Sequence, residues 1–260
     1  MNVSMYKRIL SKGFNENVFD KTSSVLVVGA GPNDLHQIKE LDLKNVLFTN
    51  LDYHGGFNDF LPYKWKKSDL NKLTFDDNSF DVVITSATLH HLYSPHRGLC
   101  EMLRVSRIGI VVVESSDNLL TRISNKLRIL PEYEIDSILK NGKGGVENTH
   151  IPNHIYRWTK QEVKKTVKSF LPQTESSFIF LNGYYFPYQR LTRQNSLKSK
   201  FILFILYLGY FFMKTVFPKQ GNEFGFIVKK GSKLHPWLEG GLYNSTLNKD
   251  FLRKNYKTTL

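Results

Sequence analysis

Short apolar runs rich in β-branched residues, separated by helical patterns, constrain this chain more than any other feature. Residues 24–28 (SVLVV) stop at Gly29-Ala30-Gly31-Pro32, residues 46–51 (VLFTNL) stop at Asp52, and residues 108–113 (IGIVVV) stop at Glu114. Residues 81–86 (DVVITS) form a further run. Such runs are what a strand buried on both faces requires. Between them, Asn33-Asp34 offers a helix cap before Leu35, Ile38 and Leu41 at helical spacing. Ser94-Pro95 supplies an N-cap and first-turn proline for a helix through Arg104. Alternation of this kind predicts a parallel α/β sheet.

The second half changes character. Thr159-Lys160-Gln161-Glu162 is a capping box that opens a helix to about Phe170. Residues 177–186 (SFIFLNGYYF) and 223–229 (EFGFIVK) are aromatic-rich and predict an antiparallel pair at the sheet edge. Between them lies Phe201–Met213, an apolar stretch without a charge, and the polar tail from Gly240 onward predicts loose order.

Composition adds three bounds. The chain has 260 residues, 41% of them apolar, enough for a substantial core. One cysteine excludes an internal disulfide framework and fits a reducing compartment. The N-terminus has no continuous apolar segment of the secretory kind, which points to a cytoplasmic protein. The net charge of +13 is unevenly placed. Residues 1–150 hold 18 Lys+Arg and 18 Asp+Glu, hence zero, and residues 151–260 hold 18 and 5, hence +13. A uniformly basic nucleic-acid binder is not built this way.

The Gly29-x-Gly31 turn, with Asp52 closing the next strand, is a nucleoside-cofactor signature. A third glycine would complete the dinucleotide fingerprint, but Asp34 stands there, and an acid repels a pyrophosphate. Downstream, Asp69, Leu73-Thr74-Phe75 and Asp77-Asn78-Ser79-Phe80-Asp81 lead into VVITS. Leu89-His90-His91-Leu92 and Pro95 follow, then Leu99, Glu101 and Leu103-Arg104-Val105. In these motifs, over about residues 24–115, the chain resembles the class I S-adenosylmethionine-dependent methyltransferases of the type 11 small-molecule group. Thr74 stands for the usual proline. Val27 replaces the acid expected two residues before the first glycine, and Asn33 replaces the third glycine.

The resemblance implies a Rossmann-like fold: a seven-stranded, mostly parallel sheet flanked by helices, with an antiparallel C-terminal edge. It implies S-adenosylmethionine as cofactor, with Gly29, Ala30, Gly31 and Asn33 along its methionyl part. Asp52 would hold the ribose, Asp69 would accept from the adenine amino group, and Leu70 would pack on the ring. Ser86, at the fourth strand's end, lies where open α/β sheets bind ligands.

His91, His90 and Glu114 are the catalytic candidates. A base is useful if the acceptor must lose a proton, and histidine has the right range. The competing reading is that one histidine packs at a helix start and that Glu114 faces solvent. Residues 119–158 sit where the family inserts substrate-covering elements, and no metal is expected, since Pro152 disrupts any alignment of Glu147, His150 and His154. The expected organisation is a methyltransferase domain over 1–230, with its core at 23–118, an apolar insertion over about 198–220, and a basic tail over 231–260.

The expected activity is methyl transfer to a small-molecule acceptor, lipid-linked or a sugar. An NAD(P)-dependent oxidoreductase, or a catalytically silent module of this fold at a membrane, are the alternatives. Phe201–Met213 is too short to span a bilayer, which takes roughly 20 apolar residues. It reads either as a buried helix covering the acceptor or as a contact through 198–219 with an anionic membrane, flanked by Lys198, Lys200, Lys214 and Lys219 and preceded by Arg190 and Arg193. Thr85-Ser86-Ala87-Thr88 stands where nucleobase methyltransferases carry Asn/Asp-Pro-Pro-aromatic, which argues against nucleic acid.

Overall fold

The computed structural model describes residues 4–52, 60–186, 197–242 and 244–256. The strands are β1 (Ser24–Val28), β2 (Asn45–Asn50), β3 (Lys64–Lys67), β4 (Phe80–Ser86), β5 (Ser106–Ser116), β6 (Arg157–Trp158), β7 (Ser177–Gly183) and β8 (Glu223–Lys229). Seven of them form one sheet in the order β3-β2-β1-β4-β5-β8-β7. Pairing is parallel from β3 through β5 and antiparallel between β5 and β8 and between β8 and β7. The expected antiparallel edge is therefore present. β5 outruns β4, and the two-residue β6 takes over on that side, pairing Ser115 and Ser116 with Arg157 and Trp158.

Strand residues alternate between two buried layers, as the pleat demands. Val25, Val27, Val82, Ile84, Val111 and Val113 pack on one face with Met5, Ile9 and Leu10 of α1 (Met5–Asn15) and Ile38 of α2 (Pro32–Glu40). Leu26, Val28, Val83, Ile110 and Val112 pack on the other with Leu99, Met102 and Leu103 of α3 (Pro95–Val105) and Val163 and Val167 of α6 (Lys160–Phe170). Ser94-Pro95 and the Thr159–Glu162 capping box open α3 and α6 as expected. Between these lie α4 (Leu119–Lys126) and α5 (Ile135–Asn141).

Three local expectations need correction. The cap of α2 is Gly31 rather than Asn33-Asp34: Pro32 takes the first helical position and the Asp34 carboxylate turns back to accept from the Gly31 N–H at 2.9 Å. Asn33 consequently sits exposed in a helical turn and does not adopt the positive φ of a glycine surrogate. The tail is partly ordered, with a short ladder pairing 238–239 with 246–247 and a final helix, α8 (Lys249–Asn255).

The apolar segment forms α7 (Leu197–Val216). It is not a buried cap: Phe204, Leu208 and Phe211 are 58%, 51% and 62% exposed. Its attached side packs Tyr207 and Tyr210 on Phe186, and the Tyr210 hydroxyl donates to the Tyr184 carbonyl at 3.0 Å. Among the described residues, no helix is long and apolar enough to cross a membrane. Arg190 and Arg193 lie outside the described residues.

Candidate active site

β1 and β4 are neighbours from which the chain runs outward in opposite directions, and such a switch point opens a crevice at the strands' carboxyl ends. A cavity of about 240 Å³ lies there. Gly29, Asn50, Leu51 and Leu70 line its cofactor side, Thr88 and His91 its far side, and the loop Gly144–Asn148 closes it.

The glycine turn is built by sterics. Gly29 has φ +66°, and a Cβ there would lie 2.2 Å from the Thr88 side chain, so only glycine lets β1 end against the β4 tip. Asn50 holds the turn by donating to the Ala30 carbonyl at 3.0 Å, and the Ala30 N–H donates to Thr49 O at 2.9 Å. Val27, where the family's acid would stand, is fully buried, and a carboxylate there would be desolvated among apolar neighbours. The Gly31 N–H, which a pyrophosphate would use, is already taken by Asp34, whose burial raises its carboxyl to about 6.

Ala30, Gly31, Asn33, Asp52, Asp69 and Ser86 do not line the cavity, although Ala30, Asp52, Asp69 and Ser86 each adjoin a lining residue in sequence. Asp69, between the lining residues Ser68 and Leu70, accepts from Asn71 N–H (2.8 Å) and Asn71 Nδ2 (3.0 Å). Asp52 accepts from Lys143 Nζ at 2.5 Å and from Asn148 Nδ2 at 2.8 Å. Glu147, at φ 49°, accepts from Asn71 Nδ2 at 2.7 Å and from the Tyr93 N–H at 3.2 Å. The loop over 143–148 is thus fastened to both walls of the crevice. Glu147, weighed in sequence only as a metal ligand beside His150 and His154, acts here as an anchor. Lys143 and Asn148 were not legible, because a loop without periodicity gives no sign of where it closes.

The catalytic candidates converge, though not as expected. Glu114 faces neither solvent nor the cavity. It is buried, accepts from the Thr88 and Leu89 N–H groups at 2.9 and 2.7 Å through Oε1, and meets His90 Nδ1 at 2.6 Å through Oε2. Through these contacts it holds the tip of β4 and the following turn. His90 Nε2 points to Glu134 Oε2 at 3.4 Å, a polar group of the segment expected to cover the substrate. Burial opposes a charged His90, but Glu114 and then Glu134 outweigh it and push the imidazole up to about 10. Glu134 is correspondingly pulled down to about 2, chiefly by its hydrogen bond to His90. His91 shifts the other way, lowered first by burial and then by the His90 charge, so a neutral imidazole borders the cavity.

The two carboxylates and the apolar Leu70 wall suit a cationic, ribose- and adenine-bearing cofactor: acids for hydroxyl and amino groups, apolar surface for a ring. A methyltransferase-domain family model matches residues 14–113. No curated sequence is similar enough to match. Among solved structures, the YcgJ protein of Bacillus subtilis is similar over 86% of this chain and 98% of its own, at 12% identity and a TM-score of 0.54. BH2331 of Bacillus halodurans, a candidate methyltransferase, covers 85% and 96% at 15% identity and a TM-score of 0.50. The [4+2]-cyclase SpnF covers 86% and 81% at 12% identity and a TM-score of 0.51. At such identities these structures establish the fold, which the strand order has already displayed. The domain match places a methyltransferase domain over residues 14–113, on a fold shared with S-adenosylmethionine-dependent methyltransferases.

Proposed function

We propose that this enzyme methylates a polar small molecule carried on a lipid, and that it does so at an anionic membrane surface. The observation that carries this reading is the place and surface of α7. β7 ends and β8 begins at the carboxyl edge of the parallel strands, so α7 joins them on the edge where the cavity opens. The Asn118 Nδ2, at the start of α4, donates to the Gly221 carbonyl at 2.7 Å, which ties the exit of α7 to the covering elements. An exposed aromatic and aliphatic helix beside lysines, in the half of the chain that holds the whole +13, matches an anionic bilayer in both apolarity and charge.

S-adenosylmethionine, when bound, supplies an electrophilic methyl on a sulfonium. Gly29 and its turn would lie against the methionyl part, Asp52 would take the ribose hydroxyls, Asp69 the adenine amino group, and Leu70 the ring. His91, neutral and bordering the cavity, would take the proton of an acceptor that must lose one, while His90 and Glu114 position it. Glu147 and Asn148 exclude water by closing the crevice. Residues 119–158 would cover the acceptor within a domain running over 1–230, with 231–260 as its basic tail.

The test is transfer of a labelled methyl group to a lipid extract in anionic vesicles, followed by mass spectrometry of the labelled product. A labelled lipid supports the reading. Label recovered only in a water-soluble sugar replaces the lipid-linked acceptor with a free one, and failure to co-sediment with anionic vesicles at low salt ends the membrane part.

A further inference from the structure

The strongest unassigned feature is the polar cluster behind the cavity wall. One ring nitrogen each of His90 and His91 and a Glu134 carboxylate oxygen lie within 4.8 Å of one another, the only such group among the described residues. Two of the separations are 3.4 Å (His90 to Glu134) and 3.6 Å (His91 to Glu134). Bonds of about 2.0–2.2 Å to a shared cation place ligand atoms roughly 3.0–3.4 Å apart, so these two separations need to close by only tenths of an ångström. The ligating nitrogens of the two imidazoles lie within 4.8 Å of each other. Glu134 and His91 are the two partly exposed members and so have room to do this.

The outer shell is also in place. His90 Nδ1 is committed to Glu114, which leaves Nε2 as its ligating nitrogen, and Glu114 is itself fixed by the Thr88 and Leu89 N–H groups. A carboxylate, a histidine and an open ligand position in line is the arrangement that orients histidines on metals. Glu114 and Glu134 bring two negative charges against His90, and a divalent cation on a neutral His90 would take the place of the proton it otherwise carries between them. Two imidazoles and a carboxylate suit a first-row transition ion over calcium or magnesium.

We propose that His90, His91 and Glu134 form a binding site for one divalent transition-metal ion of the zinc or cobalt class, with Glu114 as the outer partner of His90. This reverses the sequence expectation of no metal, and it uses neither His150 nor His154. His91 also borders the cavity, which puts the cation on the acceptor side. An acceptor hydroxyl coordinated there would then release its proton to solvent in place of transfer to His91, and the oxygen would take the methyl as S-adenosylhomocysteine leaves with the sulfur electron pair. That last point rests on the methyl-transfer reading, whereas the site itself does not.

The full chain, stripped with a chelator, is titrated with Co²⁺ while its visible ligand-field absorption is followed, and Zn²⁺ is added in competition. One saturable cobalt per chain, displaced by zinc, is expected. Glu134→Gln and His91→Ala should each weaken it at least tenfold, and Glu114→Gln by about 10- to 100-fold through the outer shell. His36→Gln, on the outer face of α2, should leave it unchanged. Glu134 is partly exposed on the covering elements, so its conversion to Gln tests the site without opening the core. Absence of saturable cobalt absorption overturns the proposal. So does cobalt binding that is unaltered in both Glu134→Gln and His91→Ala.

Discussion

Thr88 stands against Gly29 so closely that a single added methyl group would lie 2.2 Å from its Cγ2 and 2.3 Å from its Oγ1. Thr88 is in turn anchored by the Glu114 carboxylate through its own N–H. The end of β1, the tip of β4 and the end of β5 are therefore one mechanical unit at the mouth of the cavity. Gly29→Ala forces a left-handed backbone on alanine and a clash at once, and should cost about 1–3 kcal/mol of stability. It should also weaken S-adenosylhomocysteine binding by more than tenfold. Chemical denaturation and calorimetry on the same preparation measure the two effects.

Glu114→Ala should cost about 3–5 kcal/mol, because removing one partner of a buried ion pair leaves the other desolvated. It also orphans the Thr88 and Leu89 N–H groups. Glu114→Gln retains the carbonyl for those two donors and should lose less. Urea unfolding near pH 7 distinguishes the two variants, and equal losses would contradict the positioning role.

Asp34 gives a pH test with a definite sign. Its carboxyl is raised by burial from 3.8 to about 6, so the folded state holds this proton more tightly than the unfolded chain. Its favourable contribution is full below about pH 3.8 and is lost as pH rises through about 6. Asp34→Asn keeps an oxygen for the Gly31 N–H and removes the charge from beside the buried Tyr6 hydroxyl. The variant should be more stable than the parent by about 1–3 kcal/mol at pH 8, and this gain should vanish at pH 4. Thermal unfolding at the two pH values checks it.

The triple change Phe204→Ser, Leu208→Ser and Phe211→Ser removes one face of α7 without touching the Tyr207 and Tyr210 contacts. Co-sedimentation with anionic vesicles should fall at least tenfold while S-adenosylhomocysteine affinity stays within about twofold. Loss of both would mean that the helix supports the fold.

Much of this architecture was legible because burial writes itself into sequence. β1, β4, β5 and β8 are covered on both faces or nearly so, and appear as continuous apolar runs. β3 was not, since KWKK is an edge strand held by backbone pairing to β2 and carries three lysines. α1 was missed as well, although Met5, Tyr6, Ile9 and Leu10 at helical spacing make its buried face. In the site, the glycine turn was readable from spacing, and Asp69 was marked by the family resemblance. Lys143 and Asn148 were not legible, and the contacts of Glu134 and Glu147 were not either, because their positions depend on how an irregular loop folds back. The role of Glu114 was misread for a related reason: a strand end predicts a side chain at the mouth, while the 88–90 turn folds over it.

The central claim is that the crevice at the carboxyl ends of β1, β2 and β4 binds S-adenosylmethionine through Asp52 and Asp69. Isothermal calorimetry of the full chain with S-adenosylhomocysteine, on the parent, Asp52→Ala and Asp69→Ala, with NADH as comparison ligand, tests it most directly. The account predicts one S-adenosylhomocysteine per chain, no measurable NADH binding, and loss of S-adenosylhomocysteine binding in each variant. Unchanged affinity in both variants, or tighter binding of NADH by the parent, would contradict it.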